Sequence, residues 1–282
     1  MHSVRELLQL STDFLEKKEI TAPKLCAEEL LAFVLKKKRL DLFLDYDAPV
    51  EEREVDRYRS LIKRKSEGEP LGYLLETTEF LDCALTLSPA VLIPRQETEI
   101  LVSMALKEVS NEPKVLWDLC CGSGCMGIAA KKHRPQLHVT LADISNDALK
   151  CAKKNAAKNE LEVTCVQGDL LAPFQGKKAD FIFCNPPYVA EEDYPNLEKE
   201  VHFEPRQAHV AKEKGLEFYK RLCTELPPFL SPGAKVFLEV GHDQGSQVLA
   251  IFHQSHWKQR RCEKDWAGND RFFFLEFSLE LP

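Results

Sequence analysis

Asp118-Leu119-Cys120-Cys121-Gly122-Ser123-Gly124 is the stretch on which the fold turns. It completes a short apolar run, Val115–Leu119, and leads into a helical pattern from Gly122 to about Lys132. A chain that leaves a strand, turns sharply and enters a helix passes close to whatever lies above the sheet. Glycine permits that approach because it has no Cβ. Gly122, Gly124 and Gly127 also satisfy a G-x-G-x-x-G spacing, which marks dinucleotide loops as well as other nucleoside sites. Taken alone, the loop leaves a nucleoside ligand, a dinucleotide and a plain tight turn all open.

Outward from this loop, strands and helices alternate. His138–Ala142 reads as a second strand, followed by a helix over Asn146–Asn159. Glu162–Val166, Phe181–Cys184 and Lys235–Val240 read as three more strands, and His256–Cys262 with Arg271–Phe277 as a closing pair. Such alternation implies a parallel sheet covered by helices on both faces. The closing pair has no helix between its members, so the last strand is expected to run antiparallel. Upstream, Val4, Leu7, Leu8, Phe14 and Leu15, then Leu25, Leu30, Leu31, Val34 and Leu35, recur at helical spacing. Pro23 suits a helix start, and a charged helix is expected over about Glu51 to Lys65. Gly68-Glu69-Pro70 breaks that pattern. Phe80 and Leu81, then Ala84, Leu85 and Leu87, suggest a hairpin turning at Asp82-Cys83. The expected organisation is a helical domain over 1–75, a β-hairpin linker over 76–90 and an α/β domain over 91–282.

Three further positions give the loop a ligand. Asp143 ends the second strand, 25 residues after Asp118, where a carboxylate can accept from both hydroxyls of a ribose. Capping of the next helix suits Ser145 better. Asp169 ends the third strand, placed to accept from an adenine amino group, with Leu170 beside it to pack on the ring. The fourth strand ends in Asn185-Pro186-Pro187-Tyr188. Asn-Pro is a common strand-ending turn, but this order also suits a specific chemistry. An amide nitrogen is a poor nucleophile because its lone pair is delocalised. Two acceptors aimed at its N–H groups hold it against an electrophile: the Asn185 side-chain carbonyl and the Pro186 backbone carbonyl, whose direction proline helps to fix. Tyr188 offers a flat face for stacking. No strong base is needed; positioning supplies the rate, with favourable dipoles at the developing charge.

At these residues the chain resembles class I N-methyltransferases, which have a Rossmann-like α/β sheet and use S-adenosylmethionine. Leu92-Ile93-Pro94-Arg95-Gln96-Glu97-Thr98-Glu99, Glu204-Pro205, Glu239-Val240-Gly241-His242-Asp243-Gln244 and Asp265-Trp266-Ala267-Gly268-Asn269-Asp270-Arg271 are similar to the HemK/PrmC family. Gly68-Glu69-Pro70-Leu71-Gly72-Tyr73 resembles its N-terminal-domain signature. The resemblance implies a seven-stranded sheet, a helical domain that binds the protein substrate, and transfer of a methyl group to the N5 amide nitrogen of the glutamine in the Gly-Gly-Gln motif of class 1 peptide chain release factors. Asp118, Cys120, Cys121, Gly122, Ser123, Gly124, Asp143, Asp169, Leu170 and Asn185 are the expected cofactor-binding residues. Asn185, Pro186, Pro187 and Tyr188 are the expected catalytic ones. Two positions depart from the family pattern. Cys120 stands at the first glycine of Asp-x-Gly-x-Gly-x-Gly, which a β-region backbone would tolerate and a positive φ would strain. Leu170 stands where some relatives place an aromatic residue.

Composition narrows the alternatives. Net charge is −7, which argues against a protein that grips long nucleic acid, since such proteins carry a basic surface. Lys36-Lys37-Lys38-Arg39 and Arg59–Lys65 read as solvated helix faces. The ten cysteines are scattered, as reduced thiols in a cytoplasmic protein would be, and no metal-ligand spacing stands out. No apolar run approaches the roughly 20 residues that cross a membrane. Arg95, Glu97 and Thr98 fit either a helix start or a lid over the cofactor, and Glu239 with Arg271 a structural pair. A ribosomal-protein glutamine methyltransferase and a DNA adenine-N6 methyltransferase share the catalytic tetrapeptide and stay as rivals. A non-catalytic adenosine-binding adaptor would not need it.

Overall fold

In the computed structural model, which describes residues 2–278, the chain forms two compact units. The smaller runs from the N-terminus to Thr77 and takes in Glu198–Phe203, a short excursion from the later chain. The larger comprises Thr78–Leu197 and the chain from Glu204 onward. A contiguous helical domain was the expectation from sequence; the returning segment carries no helical periodicity that would have announced it.

The smaller unit contains α1 (Val4–Lys17), α2 (Pro23–Leu35), α3 (Glu52–Ser66) and α4 (Leu71–Leu75). Ser3 and Glu6 form a reciprocal capping box at the start of α1: the Ser3 hydroxyl accepts from the Glu6 N–H at 3.3 Å, and the Glu6 carboxylate from the Ser3 N–H at 3.0 Å. Pro23 opens α2, as its locked φ favours. Leu7, Leu15, Leu30, Leu31, Val55 and Tyr58 form the centre of the core. Burying each such side chain contributes roughly 1.5–3 kcal/mol. Lys65 is almost wholly buried, and its ammonium is paired with Glu200 of the returning segment.

After α4 the chain forms a hairpin of β1 (Thr77–Phe80) and β2 (Cys83–Thr86), all but its first residue in the larger unit. Its turn is centred on Leu81-Asp82, at φ 42° and 63°, not on Asp82-Cys83 as expected. Two consecutive positive φ values give the turn twist that two-residue hairpins favour. Cys83 instead starts β2 and is fully buried.

The elements that follow are α5 (Gln96–Ala105), β3 (Val115–Leu119), α6 (Cys125–His133), β4 (His138–Asp143), α7 (Asn146–Lys158), β5 (Thr164–Gln167) and β6 (Ala179–Cys184). After them come β7 (Val189–Ala190), β8 (Val210–Ala211), α8 (Glu217–Glu225), β9 (Leu230–Glu239), α9 (Gly245–Ile251), β10 (Trp257–Lys264) and β11 (Asp270–Phe277). Seven strands form one sheet in the order β10-β11-β9-β6-β3-β4-β5. The pairs from β9 to β5 are parallel, and β11 runs antiparallel to both β9 and β10. This is the expected mostly parallel sheet with an antiparallel last strand.

Side chains alternate across it. Leu116, Leu141, Phe181, Phe183, Phe237 and Phe274 pack on the face covered by α5, α6 and α7. Trp117, Leu119, Ile182, Val236 and Phe273 pack on the other, with Tyr219 and Leu222 of α8 and Val248 of α9. A sheet buried on both faces accounts for the continuous apolar runs in the sequence. Chain order reverses between β3 and β6. The loops leaving these two strands therefore splay apart above the sheet and leave a crevice at their C-terminal ends.

Candidate active site

That crevice is a cleft enclosing about 740 Å³ of empty space, part of it continuous with solvent. Cys120 and Gly122 line it from the loop after β3, Asp143 and Ile144 from the end of β4, Asp169 and Leu170 from beyond β5, and Asn185 and Pro187 from the end of β6. Residues from four strand ends that sequence reading singled out separately thus converge on one cleft. Asp118, Cys121, Ser123, Gly124, Pro186 and Tyr188 are not among its lining residues, although each lies within two residues along the chain of one that is.

Two carboxylates hold the loop after β3 and the first turn of the helix it enters. Asp118 is fully buried, and its Oδ2 accepts from the Gly127 N–H at 2.8 Å. Burial pushes its carboxyl up to about 7, against the lowering effect of that N–H. Its Oδ1 is buried without a hydrogen-bond partner. A Cβ on Gly127 would come within 2.3 Å of Leu141 Cδ2, so this glycine is what lets α6 approach β3 and β4. Asp143 uses one oxygen to accept from the Gly122 N–H at 2.9 Å and the other from the Ser145 N–H at 2.8 Å. Burial raises its carboxyl above the usual range. Each oxygen retains a further lone pair for a ribose hydroxyl. Ser145 caps α7, accepting from the Ala148 N–H at 3.2 Å. Cys120 has φ +55°. It occupies the left-handed region that the family's glycine adopts without strain, so the substitution costs on the order of 1–2 kcal/mol.

Asp169 lines the cleft, yet its carboxylate is gripped by the Arg221 guanidinium through two contacts of 3.0 Å. Phe218 lines the same cleft from α8, and Arg221 packs over its ring. Phe218 therefore supplies the aromatic surface that Leu170 lacks. Sequence reading missed it because 48 residues separate Leu170 from Phe218 and no motif marks it. The rim is closed by Val91 and Leu92 on one side and by Pro205, Gln207 and Ala208 on the other. Glu204 ties the two together. It accepts from the Ile93 N–H at 3.2 Å and from Arg95 at 2.6 Å, and lies 2.8 Å from His209 Nε2.

Behind Asn185 lies a buried polar chain. Asn185 Nδ2 donates to Thr98 Oγ1 at 3.2 Å, and the Thr98 hydroxyl donates to Glu239 Oε2 at 2.6 Å. The Tyr188 hydroxyl donates to Glu239 Oε1 at 3.1 Å. Glu239 is almost wholly buried. Burial raises its carboxyl above the usual range, opposed by the Thr98 hydroxyl, the Arg271 charge and the Tyr188 hydroxyl. Gln244 Nε2 donates to the Tyr188 carbonyl at 3.0 Å and so anchors the tetrapeptide from the far side. Thr98 lies in the first turn of α5, which Arg95 caps and Glu97 enters, so these three residues form the helix start weighed from sequence, and Thr98 in addition supports Asn185. Glu239 reaches Thr98 and Tyr188, whereas Arg271 donates to the Val240 carbonyl at 3.3 Å.

The cleft suits S-adenosylmethionine. It has apolar walls for adenine in Leu170, Ile144 and Phe218, a carboxylate with spare lone pairs for ribose, and a glycine-bearing backbone turn beside them. Comparison with known proteins agrees. Residues 96–204 match the model of the methyltransferase small domain, and residues 6–75 that of the PrmC N-terminal domain. A protein of Chlamydia trachomatis serovar L2 named release factor glutamine methyltransferase is 37% identical over 276 residues, 97% of this chain and 94% of its own length. A protein of Geobacter sulfurreducens with the same name is 33% identical, covering 95% of each chain. Among solved structures, a methyltransferase from Pyrococcus furiosus superposes with a TM-score of 0.53 at 20% identity, over 69% of this chain and 88% of that one, which shows a shared fold. With the cleft, two family models and near-full-length relatives in agreement, this protein is an S-adenosylmethionine-dependent methyltransferase and belongs to the release factor glutamine methyltransferase family.

Proposed function

We propose that the chain methylates the side-chain amide nitrogen, N5, of the glutamine in the Gly-Gly-Gln motif of class 1 peptide chain release factors. The observation that carries this reading is the position of Asn185-Pro186-Pro187-Tyr188. It leaves β6 at the point where chain order reverses, with Asn185 and Pro187 lining the cleft that also contains Gly122 and Asp143. An acceptor for a planar NH2 group and a nucleoside site are thus neighbours. Bound in the cleft, S-adenosylmethionine supplies a methyl group made electrophilic by its sulfonium.

The chain's own residues do the rest. Asn185 Oδ1 and the Pro186 carbonyl accept the two amide N–H groups and orient the nitrogen lone pair, while Tyr188 offers its ring as a stacking face. Their oxygen dipoles favour the positive charge that develops on the nitrogen, after which its proton is acidic enough to leave without a dedicated base. Asp143 would hold the ribose, with Leu170 and Phe218 about the adenine. The names of the relatives support a release factor as the protein partner, and we assign its recognition to the helical unit. A cytoplasmic location follows from that substrate, and all ten cysteines are free thiols, as a reducing compartment maintains. No helix among the described residues is long and apolar enough to cross a membrane.

The test is to incubate the purified protein with methyl-labelled S-adenosylmethionine and, separately, a class 1 release factor, a ribosomal-protein mixture and duplex DNA. Label on the glutamine of the Gly-Gly-Gln peptide is the expected result. Label confined to a ribosomal protein or to adenine would replace the proposal with the corresponding rival.

A further inference from the structure

We infer that Thr98 and Glu239 are positioning residues that dictate which end of the Asn185 side-chain amide faces the cleft. The inference rests on the amide-acceptor role proposed above. An asparagine amide has two ends of nearly equal size, one an acceptor and the other a double donor. A half-turn about its last side-chain bond exchanges them. Only one orientation serves an incoming NH2 group: with the nitrogen end forward, donor would meet donor.

The buried chain behind Asn185 selects that orientation by its polarity. A carboxylate only accepts, and both Glu239 oxygens already receive hydroxyl donors, Thr98 at 2.6 Å and Tyr188 at 3.1 Å. Thr98 has a single O–H and spends it on Glu239. Its oxygen therefore has only lone pairs to offer Asn185, and the group that meets it at 3.2 Å must be the donor end, Nδ2. Oδ1 is then left for the substrate. Thr98 and Glu239 are both almost wholly buried, so water is poorly placed to replace either partner. The order of donors, from Asn185 to Thr98 to Glu239, reads in one direction only while the last member is an ionised acceptor.

Three substitutions test this, each read on the full chain. Thr98→Val keeps the shape and removes the hydroxyl. Thr98→Ser restores it. Glu239→Gln keeps the shape but introduces a donor, which can turn the Thr98 hydroxyl toward Asn185 and reverse the amide. Thr98→Val and Glu239→Gln are expected to lower kcat by about 10- to 100-fold, the scale of one or two polar contacts. The dissociation constant for S-adenosylmethionine should change less than about three-fold, and Thr98→Ser should recover most of the rate.

A second readout needs no acceptor substrate: the side-chain amide signals of Asn185 in 15N-correlated NMR. The proton donated to Thr98 should exchange slowly in the unaltered protein and in Thr98→Ser, and lose that protection in Thr98→Val. The inference is overturned if Thr98→Val leaves both kcat and that signal unchanged, or if kcat and cofactor affinity fall together. An unaltered protein that labels no release factor would count against the substrate reading, while the NMR comparison would still decide the orientation.

Discussion

The loop after β3 and the turn after β6 border the same cleft but hold their shape by opposite means. The first is a backbone device. Cys120, Gly122 and Gly124 all have positive φ, Asp143 accepts the loop's Gly122 N–H, and Asp118 accepts the Gly127 N–H in the first turn of α6. The second is a side-chain device. Two prolines stiffen its backbone, and its working group, Asn185, is oriented by a chain of side chains drawn from α5 and β9. The cofactor side needs a surface the ligand can approach closely, which backbone provides. The acceptor side needs one atom aimed in one direction, which a single backbone turn does not guarantee. The first should therefore respond to changes of conformation and burial, and the second to loss of a single donor or acceptor.

Four substitutions or conditions can break or sharpen this contrast. The largest expected effect is at Asp118. Its folded value of about 7 lies above the unfolded value of 3.8, so the neutral form stabilises the fold. That contribution is complete below about pH 4 and lost as pH rises through about 7. Between pH 5 and pH 8 the unaltered protein should lose ~2–3 kcal/mol from this group. Asp118→Asn should lack that slope in denaturant unfolding of the ligand-free protein, and equal slopes in both would refute it.

Next, Asp143→Ala removes the acceptor for two loop N–H groups and for the proposed ribose. It should weaken S-adenosylmethionine binding by about 30- to 100-fold, or ~2–3 kcal/mol, while kcat at saturating cofactor stays within a few-fold; calorimetry beside saturation kinetics separates the two. Gly127→Ala should then destabilise the fold by ~1–3 kcal/mol through overpacking against Leu141, seen as a lower denaturation midpoint. Smallest, Cys120→Gly relieves the positive φ of +55° but adds unfolded-state freedom. The net gain should be under ~1 kcal/mol, or a rise in Tm of no more than roughly 2–4 °C. A fall in Tm would mean that the Cys120 side chain contributes packing that outweighs the strain.

Much of the larger unit was readable in the sequence because its signals are local. Apolar runs such as Val115–Leu119 and Phe181–Cys184 gave the strands, and glycine, proline and acidic residues at their ends gave the cleft. What was not readable depends on partners far apart in the chain. Thr98 and Glu239 are 141 residues apart, Arg95 and Glu204 109, Asp169 and Arg221 52. A carboxylate read as an adenine acceptor at Asp169 therefore turned out to be held by an arginine that no motif announces. Local conformation also hid where residue type misleads. Leu81 and Asp82 turn the hairpin without a glycine. β9 begins at Leu230 and runs through Ser231-Pro232-Gly233, residues that otherwise punctuate a chain. Cys120 takes a glycine's conformation, which its identity as a small apolar residue does not reveal.

The claim on which the rest depends is that Asn185 acts on the acceptor nitrogen and not on the cofactor. Single-turnover methyl transfer to a release factor, with S-adenosylmethionine saturating, tests it in the Asn185→Ala variant. A rate reduced by about 100- to 1,000-fold with cofactor affinity retained is the expected result. Transfer at the unaltered rate, or a loss explained wholly by failure to bind S-adenosylmethionine, would contradict it.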